Sequence, residues 1–290
     1  MSDMTRQNYS KAALVIIDPQ NCFMDVPGMP LSVVGATADM ARLQSHMWGY
    51  IPAGLYEQVY ITLDTHPVDH ISHAVRWVDQ SENHPVLFTI ITAAEFEAGV
   101  WRATDPADQS WQSEYLRRLS RPHCIWPVHG QKGQFEQWIC YPLWRAIHEM
   151  GNPNNTSGLD EYVQFNYIEK GMHRDVEQFG VFGADVPFPG APETEINLAL
   201  IQEINQHGEV VFAGEASSHC VMDSVSQFLA HVPEADWKKV VVLRDCMSPV
   251  PQPPGGPDFP AMAEAWFADL QTKGVRVMKV ADYEASKLAA

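Results

Sequence analysis

Short β-branched runs alternate with helical patterns along most of this 290-residue chain, and that alternation restricts its fold more than any other feature. The runs lie at 13–18, 58–64, 86–91, 164–168, 209–214, 239–243 and 275–280. Between them, helical periodicity is clearest at 38–50, 135–150, 194–206, 221–231 and 259–273. Strands separated by helices pair in parallel through right-handed crossovers. The expected class is therefore α/β, a three-layer αβα arrangement around a mostly parallel six-stranded sheet. In such folds ligands bind beyond the carboxyl ends of the strands.

With 46% hydrophobic residues, the chain can bury a sizeable core as one domain. One domain over 1–290 is expected, with an insertion at about 94–124. That stretch carries Trp101, Trp111, Tyr115, Arg117 and Arg118 and has no clean strand signal. A second irregular stretch, 172–192, holds Gly180, Gly183, Pro187, Pro189, Gly190 and Pro192, and reads as a long loop near the mouth of the sheet. A formal net charge of −17 disfavours nucleic acid or an anionic membrane as partner, which leaves a small molecule. Cys22, Cys124, Cys140, Cys220 and Cys246 are scattered and odd in number, so neither a disulfide framework nor a cysteine zinc knuckle is expected. Residues 1–11 are polar, with no apolar leader segment, and no apolar stretch approaches the length of a membrane span. A soluble, cytoplasmic protein is expected.

Three strand ends carry groups that could work together. Asp18 closes the run Ala12-Ala13-Leu14-Val15-Ile16-Ile17, Lys170 follows Tyr167-Ile168-Glu169, and Cys220 stands where the 209–214 run hands over to a helix. A thiol in the first turn of a helix gains from the unpaired N–H groups and the positive dipole end there. An acid that takes the thiol proton, a cation beside both, and a thiol are a workable set for cysteine hydrolysis. A second cluster, Asp64-Thr65-His66, begins at another strand end. In a D-x-H triplet on extended chain both side chains can face one side, offering a carboxylate and an imidazole to a divalent cation. A third ligand must come from elsewhere, with His70, His73, His123 and His129 as candidates.

The two clusters together resemble a known family. Asp18 in Val15-Ile16-Ile17-Asp18, Lys170 in Ile168-Glu169-Lys170-Gly171, and Cys220 in Gly214-Glu215-Ala216-Ser217-Ser218-His219-Cys220 look like the three signatures of the isochorismatase-like cysteine hydrolases. Asp64-Thr65-His66-Pro67, followed by Asp69-His70-Ile71-Ser72 and later Trp126-Pro127-Val128-His129, is similar to the nicotinamidase branch. The resemblance implies an amidohydrolase that cleaves a small carboxamide to acid and ammonia through a thioester. It implies Asp18, Lys170 and Cys220 as catalytic residues, and the N–H groups of Ala216 and Cys220, after a cis peptide, as an oxyanion hole. It further implies Asp64, His66 and His129 as ligands of a divalent metal, zinc before iron or manganese, with His70 close enough to bind directly or through water. Phe23 and Trp126 match positions that sandwich a pyridine ring, and a homo-oligomer is expected. The departures fall around the substrate: the 94–124 segment, Cys22 in place of an acidic residue, and an unusual continuation after His129. An amidohydrolase acting on another small amide, or on a carbamoyl or ureido group, is the alternative within the superfamily. A catalytically inactive binding protein on the same fold is the alternative outside it.

Overall fold

The computed structural model describes residues 11–151 and 163–288. Residues 1–10, most of the polar stretch noted above, lie outside the described part. Six strands form one sheet: β1 (Ala12–Ile17), β2 (Tyr56–Asp64), β7 (Gln164–Lys170), β8 (Glu209–Gly214), β9 (Val240–Leu243) and β10 (Arg276–Met278). Their order is β10-β9-β8-β1-β2-β7, and every neighbouring pair runs parallel. The chain steps outward from β1 through β2 to β7, then returns to the other side of β1 with β8. The strand order reverses between β1 and β8, so their carboxyl ends flank the crevice where such folds place ligands.

β1 and β8 lie inside the sheet and are covered on both faces, which is why every residue of each is buried and neither alternates apolar with polar. Alternate β1 side chains enter opposite layers. Ala12, Leu14 and Ile16 pack with Met40, Leu43 and Met47 of α1 (Ala36–Tyr50) and with Leu143 and Ile147 of α4 (Tyr141–Met150). Ala13, Val15 and Ile17 pack with α5 (Leu198–Asn205), α6 (Cys220–His231) and α7 (Phe259–Thr272) through residues such as Ile201, Val225, Phe228 and Phe267. The three-layer α/β arrangement is the one the alternation predicts. Gly214 ends β8 at φ +116°, where a Cβ would lie 2.0 Å from the Ile17 carbonyl oxygen. Only glycine lets the two strand ends approach so closely.

Residues 74–124 form β3 (Trp77–Val78), β4 (Ile90–Ile91), α2 (Ala93–Glu97), β5 (Arg102–Ala103), α3 (Gln109–Arg118) and β6 (His123–Cys124). β3 pairs with β5 and β4 with β6, both antiparallel. Trp77, Phe96, Tyr115 and Ile125 gather with Val176 and Val186 of the 172–192 loop in an apolar cluster of their own. Buried Arg76 ties this part to that loop, 2.5 Å from Asp175 and 3.1 Å from Asp108.

The structure corrects the expectation of a strand over 86–91. Val86 and Leu87 are exposed and Phe88 has φ +66°, so only Ile90 and Ile91 are extended and paired, outside the main sheet. The helical pattern at 135–150 divides into a short 3-10 turn, Phe135–Gln137, and α4, which begins only before Pro142. An unexpected helix, α8 (Val280–Leu288), follows β10 and brings buried Tyr283 and Lys287 onto Glu209. Among the described residues no helix is long and apolar enough to cross a membrane.

Candidate active site

Asp18 directly follows β1, Asp64 ends β2, Lys170 ends β7, and Cys220 opens the helix after β8. The parallel register places Asp64 beside Lys170 and brings all four to one edge of the sheet. Asp18 sits in the left-handed region at φ 43°, a conformation that a non-glycine residue adopts at a cost. Thr62 fixes it there, accepting from the Asp18 N–H at 2.9 Å and donating to Oδ1.

One ammonium organises the cluster. Lys170 Nζ lies 3.0 Å from Asp18 Oδ2, 2.9 Å from Asp64 Oδ1 and 3.5 Å from Cys220 Sγ, and it donates to the Gln178 carbonyl at 3.2 Å. Its side chain and that of Asp18 are inaccessible to solvent. Burial alone would lower the Lys170 pKa, but Asp18 and Asp64 outweigh it and hold the group charged, well above the ordinary lysine value. Asp64 is likewise held well below the carboxylate range: burial opposes ionisation, and His66 and Lys170 more than offset it. Burial raises the Cys220 thiol, with Lys170 opposing and the two carboxylates adding to the rise. A thiol in this setting needs a base to ionise, and Asp18 is the carboxylate placed to serve.

The segment 214–220 that presents the thiol is pinned from both sides. Glu215 N–H donates to Ile17 O of β1, while Gly214 and Ser217 N–H groups donate to Cys246 and Ser248 carbonyls. Glu215–Ala216 is cis, as the resemblance implies. The Ala216 carbonyl accepts from the N–H groups of His219 and Val221, closing the turn, and Ala216 and Cys220 both face a small inner pocket. Phe23, Trp126, Asp64, His66 and His129 line the same pocket, so the residues singled out in the sequence converge on one place.

Asp64, His66 and His129 offer ligand atoms within 4.8 Å of one another. His66 Nδ1 donates to the Gly171 carbonyl at 2.9 Å and His129 Nδ1 to the Pro127 carbonyl at 2.7 Å, while both Nε2 atoms turn to Asp64 Oδ2, at 3.0 and 3.2 Å. With acceptors at all four nitrogens, hydrogen bonding alone would demand two adjacent imidazolium ions in a buried site. A divalent cation in place of the two Nε2 protons satisfies the same atoms, with each Nδ1–H already oriented by a carbonyl. The donor set of one carboxylate and two imidazoles suits a borderline or hard divalent ion.

The other candidate histidines separate clearly. His70 uses both nitrogens, Nε2 donating to Val176 O at 2.9 Å and Nδ1 meeting Ser72 Oγ at 2.7 Å, although its ring centre is 4.1 Å from that of His66. His70 also offers a ligand atom within 4.8 Å of those of His66 and Glu177, a second group that could hold a metal ion. His123 turns away and donates to Ile71 O. His73 donates from Nδ1 to Val68 O, leaving Nε2 buried and without a partner, its ring 5.8 Å from His66 and 6.2 Å from His129.

Sequence reasoning missed several residues that the fold brings here. Gln20, fully buried, clamps Asp64 by accepting from its N–H at 2.6 Å and donating to its carbonyl at 2.9 Å. Its only signal was its place two residues after Asp18. Glu177 and Phe179, from the irregular 172–192 loop, and His219, next to Cys220, complete the pocket wall. Burial lifts the Glu177 carboxyl above its usual range and lowers His219 to about 3, so His219 is neutral at physiological pH.

No family model matches the chain, and no curated protein does. Solved structures do. The Acinetobacter baumanii nicotinamidase/pyrazinamidase aligns with a TM-score of 0.61 and 19% identity over 96% of this chain and 100% of that one. A pyrazinamidase of Pyrococcus horikoshii in complex with zinc aligns at 0.52 and 18%, over 93% and 99%. An isochorismatase-like hydrolase of Alkaliphilus metalliredigens aligns at 0.51 and 16%, over 95% and 98%. The strand order, the layers and these matches agree that the chain has the fold of the isochorismatase-like hydrolases and nicotinamidases.

Proposed function

We propose that the chain is a metal-containing cysteine amidohydrolase of the nicotinamidase type, cleaving a small carboxamide to its acid and ammonia through a thioester. The observation that carries this reading is the single buried ammonium, Lys170 Nζ, within ion-pair or hydrogen-bond reach of Asp18, Asp64 and the Cys220 thiol. In the first step Asp18 takes the Cys220 proton as Sγ attacks the amide carbon, and Lys170 stabilises the negative charge that passes from the carboxylate to sulfur. Negative charge growing on the carbonyl oxygen faces the N–H groups of Ala216 and Cys220. Asp18 then gives its proton to the departing nitrogen, the C–N bond breaks, and ammonia leaves an acyl thioester on Sγ. Water, losing its proton to Asp18, attacks the thioester and releases the acid, and the proton returns to sulfur.

A divalent ion held by Asp64, His66 and His129 would supply a Lewis-acidic contact that fixes a heteroatom of the substrate. Zinc is our first assignment, with iron and manganese next. Gln20 and Gly171 hold the backbone and rings of that site, and Phe23 and Trp126 form its apolar walls. The test is ammonia release from nicotinamide and pyrazinamide by protein loaded with zinc, iron or manganese, beside Cys220→Ala. Turnover lost in Cys220→Ala supports the reading. No ammonia from any primary amide with any of the three metals overturns it.

A further inference from the structure

Beyond the inner pocket lies a second, larger space that the amidohydrolase reading leaves unused. The inner pocket, at Cys220 and the candidate metal ligands, offers only about 20 Å³, whereas the adjoining chamber offers about 220 Å³. Room for one water takes roughly 10–15 Å³, and a cavity of roughly 150 Å³ holds a benzene ring. The inner pocket thus has room for a reacting amide group, and the outer chamber has room for more than one ring. Trp126, Glu177, Phe179 and His219 line both spaces, so the two adjoin.

The chamber is built by parts of this chain outside the sheet. Tyr115 and Leu119 come from the end of α3 and the turn after it, and Phe259 and Met262 come from the first turn of α7. Its lining is mainly apolar and aromatic: the Trp126 ring is 6.1 Å from Phe259 and 5.1 Å from His219, and His219 is 4.5 Å from Phe259. Its one arginine, Arg121, is already paired with Asp223 and lies 3.6 Å from Asp185, with its guanidinium 5.1 Å from the centre of the Phe179 ring, and burial lowers the pKa of the chamber's two histidines, His123 to about 4 and His219 to about 3. The Arg121 charge is committed, and Glu177 and Asp185 stand beside it. An anionic group entering here would meet two carboxyl groups and no free cation. An uncharged apolar group would displace water from an aromatic surface.

On the amidohydrolase reading above, we propose that the substrate is a primary amide bearing an uncharged apolar extension, which lies in the chamber between Tyr115, Leu119, Phe259 and Met262 while its carboxamide reaches Cys220. The extension supplies binding energy remote from the reacting bond and orients the amide carbon toward sulfur.

The experiment compares metal-loaded enzyme on acetamide, nicotinamide, 3-phenylpropanamide, 4-phenylbutanamide and a para-carboxylate analogue of the last, reading kcat/KM from ammonia release. The expected result is at least a tenfold gain from the short amides to 4-phenylbutanamide, lost again in the carboxylate analogue. Leu119→Trp and Met262→Trp, which fill the chamber from two different elements of the chain, should each lower the ratio of extended to short amide at least tenfold. A ratio near or below one in the wild type, or one that neither variant changes, overturns the proposal while the amidohydrolase reading stands. If no amide is hydrolysed, that reading falls and the chamber is judged by calorimetric binding of 4-phenylbutanamide to Cys220→Ala. Binding that each tryptophan substitution weakens tenfold supports the chamber site, and no binding overturns it.

Discussion

Replacing Lys170 with methionine tests the electrostatics of the site without any substrate. The ammonium lies 3.0 Å from Asp18 and 2.9 Å from Asp64, and all three groups are buried. At an effective dielectric of about 20, each such pair is worth about 5–6 kcal/mol, or about 11 kcal/mol for the two. Desolvating a fully buried ammonium cancels several kcal/mol of that, so the pairs are not a large net source of stability. Removing only the cation is different, because Asp18 and Asp64 are then left buried and facing each other without it. Losing one partner of a buried pair costs about 3–5 kcal/mol, which is a large share of the ~5–15 kcal/mol available to a folded chain. Urea unfolding followed by tryptophan fluorescence, with chelator present so that no metal balances Asp64, should show Lys170→Met losing about that much at an unchanged m-value. Adding Asp18→Asn to Lys170→Met removes one of the two stranded charges, so the double variant should be at least ~1 kcal/mol more stable than the sum of the single losses. A Lys170→Met cost below ~1 kcal/mol, or strict additivity, would refute the picture of one ammonium balancing two carboxylates.

Cys220→Ala should abolish turnover while moving the unfolding midpoint by no more than ~1 kcal/mol, since a small buried thiol contributes little packing; retained ammonia release would reject the nucleophile. Gly171 has φ +73°, and a Cβ there would lie 2.6 Å from His66 Cε1 and 3.0 Å from Asp64 Oδ1. Gly171→Ala should therefore cost about 1–3 kcal/mol and strip the protein of most of its metal by elemental analysis, and wild-type metal content would contradict the site. Burial raises Asp185 to about 7, so between pH ~4 and 7 the native state keeps a proton that the unfolded chain releases. Its contribution to stability is then greatest at the acid end of that window and falls as pH rises toward 7. The stability difference between Asp185→Asn and wild type should move in favour of the variant from pH 5 to 8, and a difference flat with pH would show that Asp185 titrates normally.

How much of this was legible in the sequence depends on what each residue's position is tied to. Asp18, Asp64 and Lys170 stand at the carboxyl ends of β1, β2 and β7, and Cys220 opens the helix after β8, positions that the alternation of strand and helix patterns fixes to within a few residues. Once the strands are parallel, those ends must meet on one side of the sheet, so the four convergent groups follow from the pattern alone. His129 follows only from motif resemblance, because no periodicity links it to Asp64, 65 residues earlier. The 86–91 run misled because apolar content was read as burial, whereas Val86 and Leu87 point to solvent and Phe88 turns the chain at positive φ.

Gln20, Glu177, Phe179 and His219 were illegible for a related reason. Each acts through a loop conformation that is set by long-range packing, and a loop's sequence gives no period from which to read its direction. The consequence reaches function. The sheet ends determine the bond-breaking chemistry, and their residues are short-range features of strands. The proposed chamber for the rest of the substrate is lined by Tyr115, Leu119, Phe179 and Phe259, from three separate connections that only the folded chain brings together. Changes in those connections alter the chamber without touching Asp18, Lys170 or Cys220, so specificity can drift on this scaffold while the reaction stays the same. A chimera carrying a shorter 94–124 segment should thus keep the thiol, acid and ammonium geometry but lose the wall contributed by Tyr115 and Leu119. Its preference should fall back to short amides, and retention of the preference for the extended amide would place selectivity in the sheet-end pocket instead.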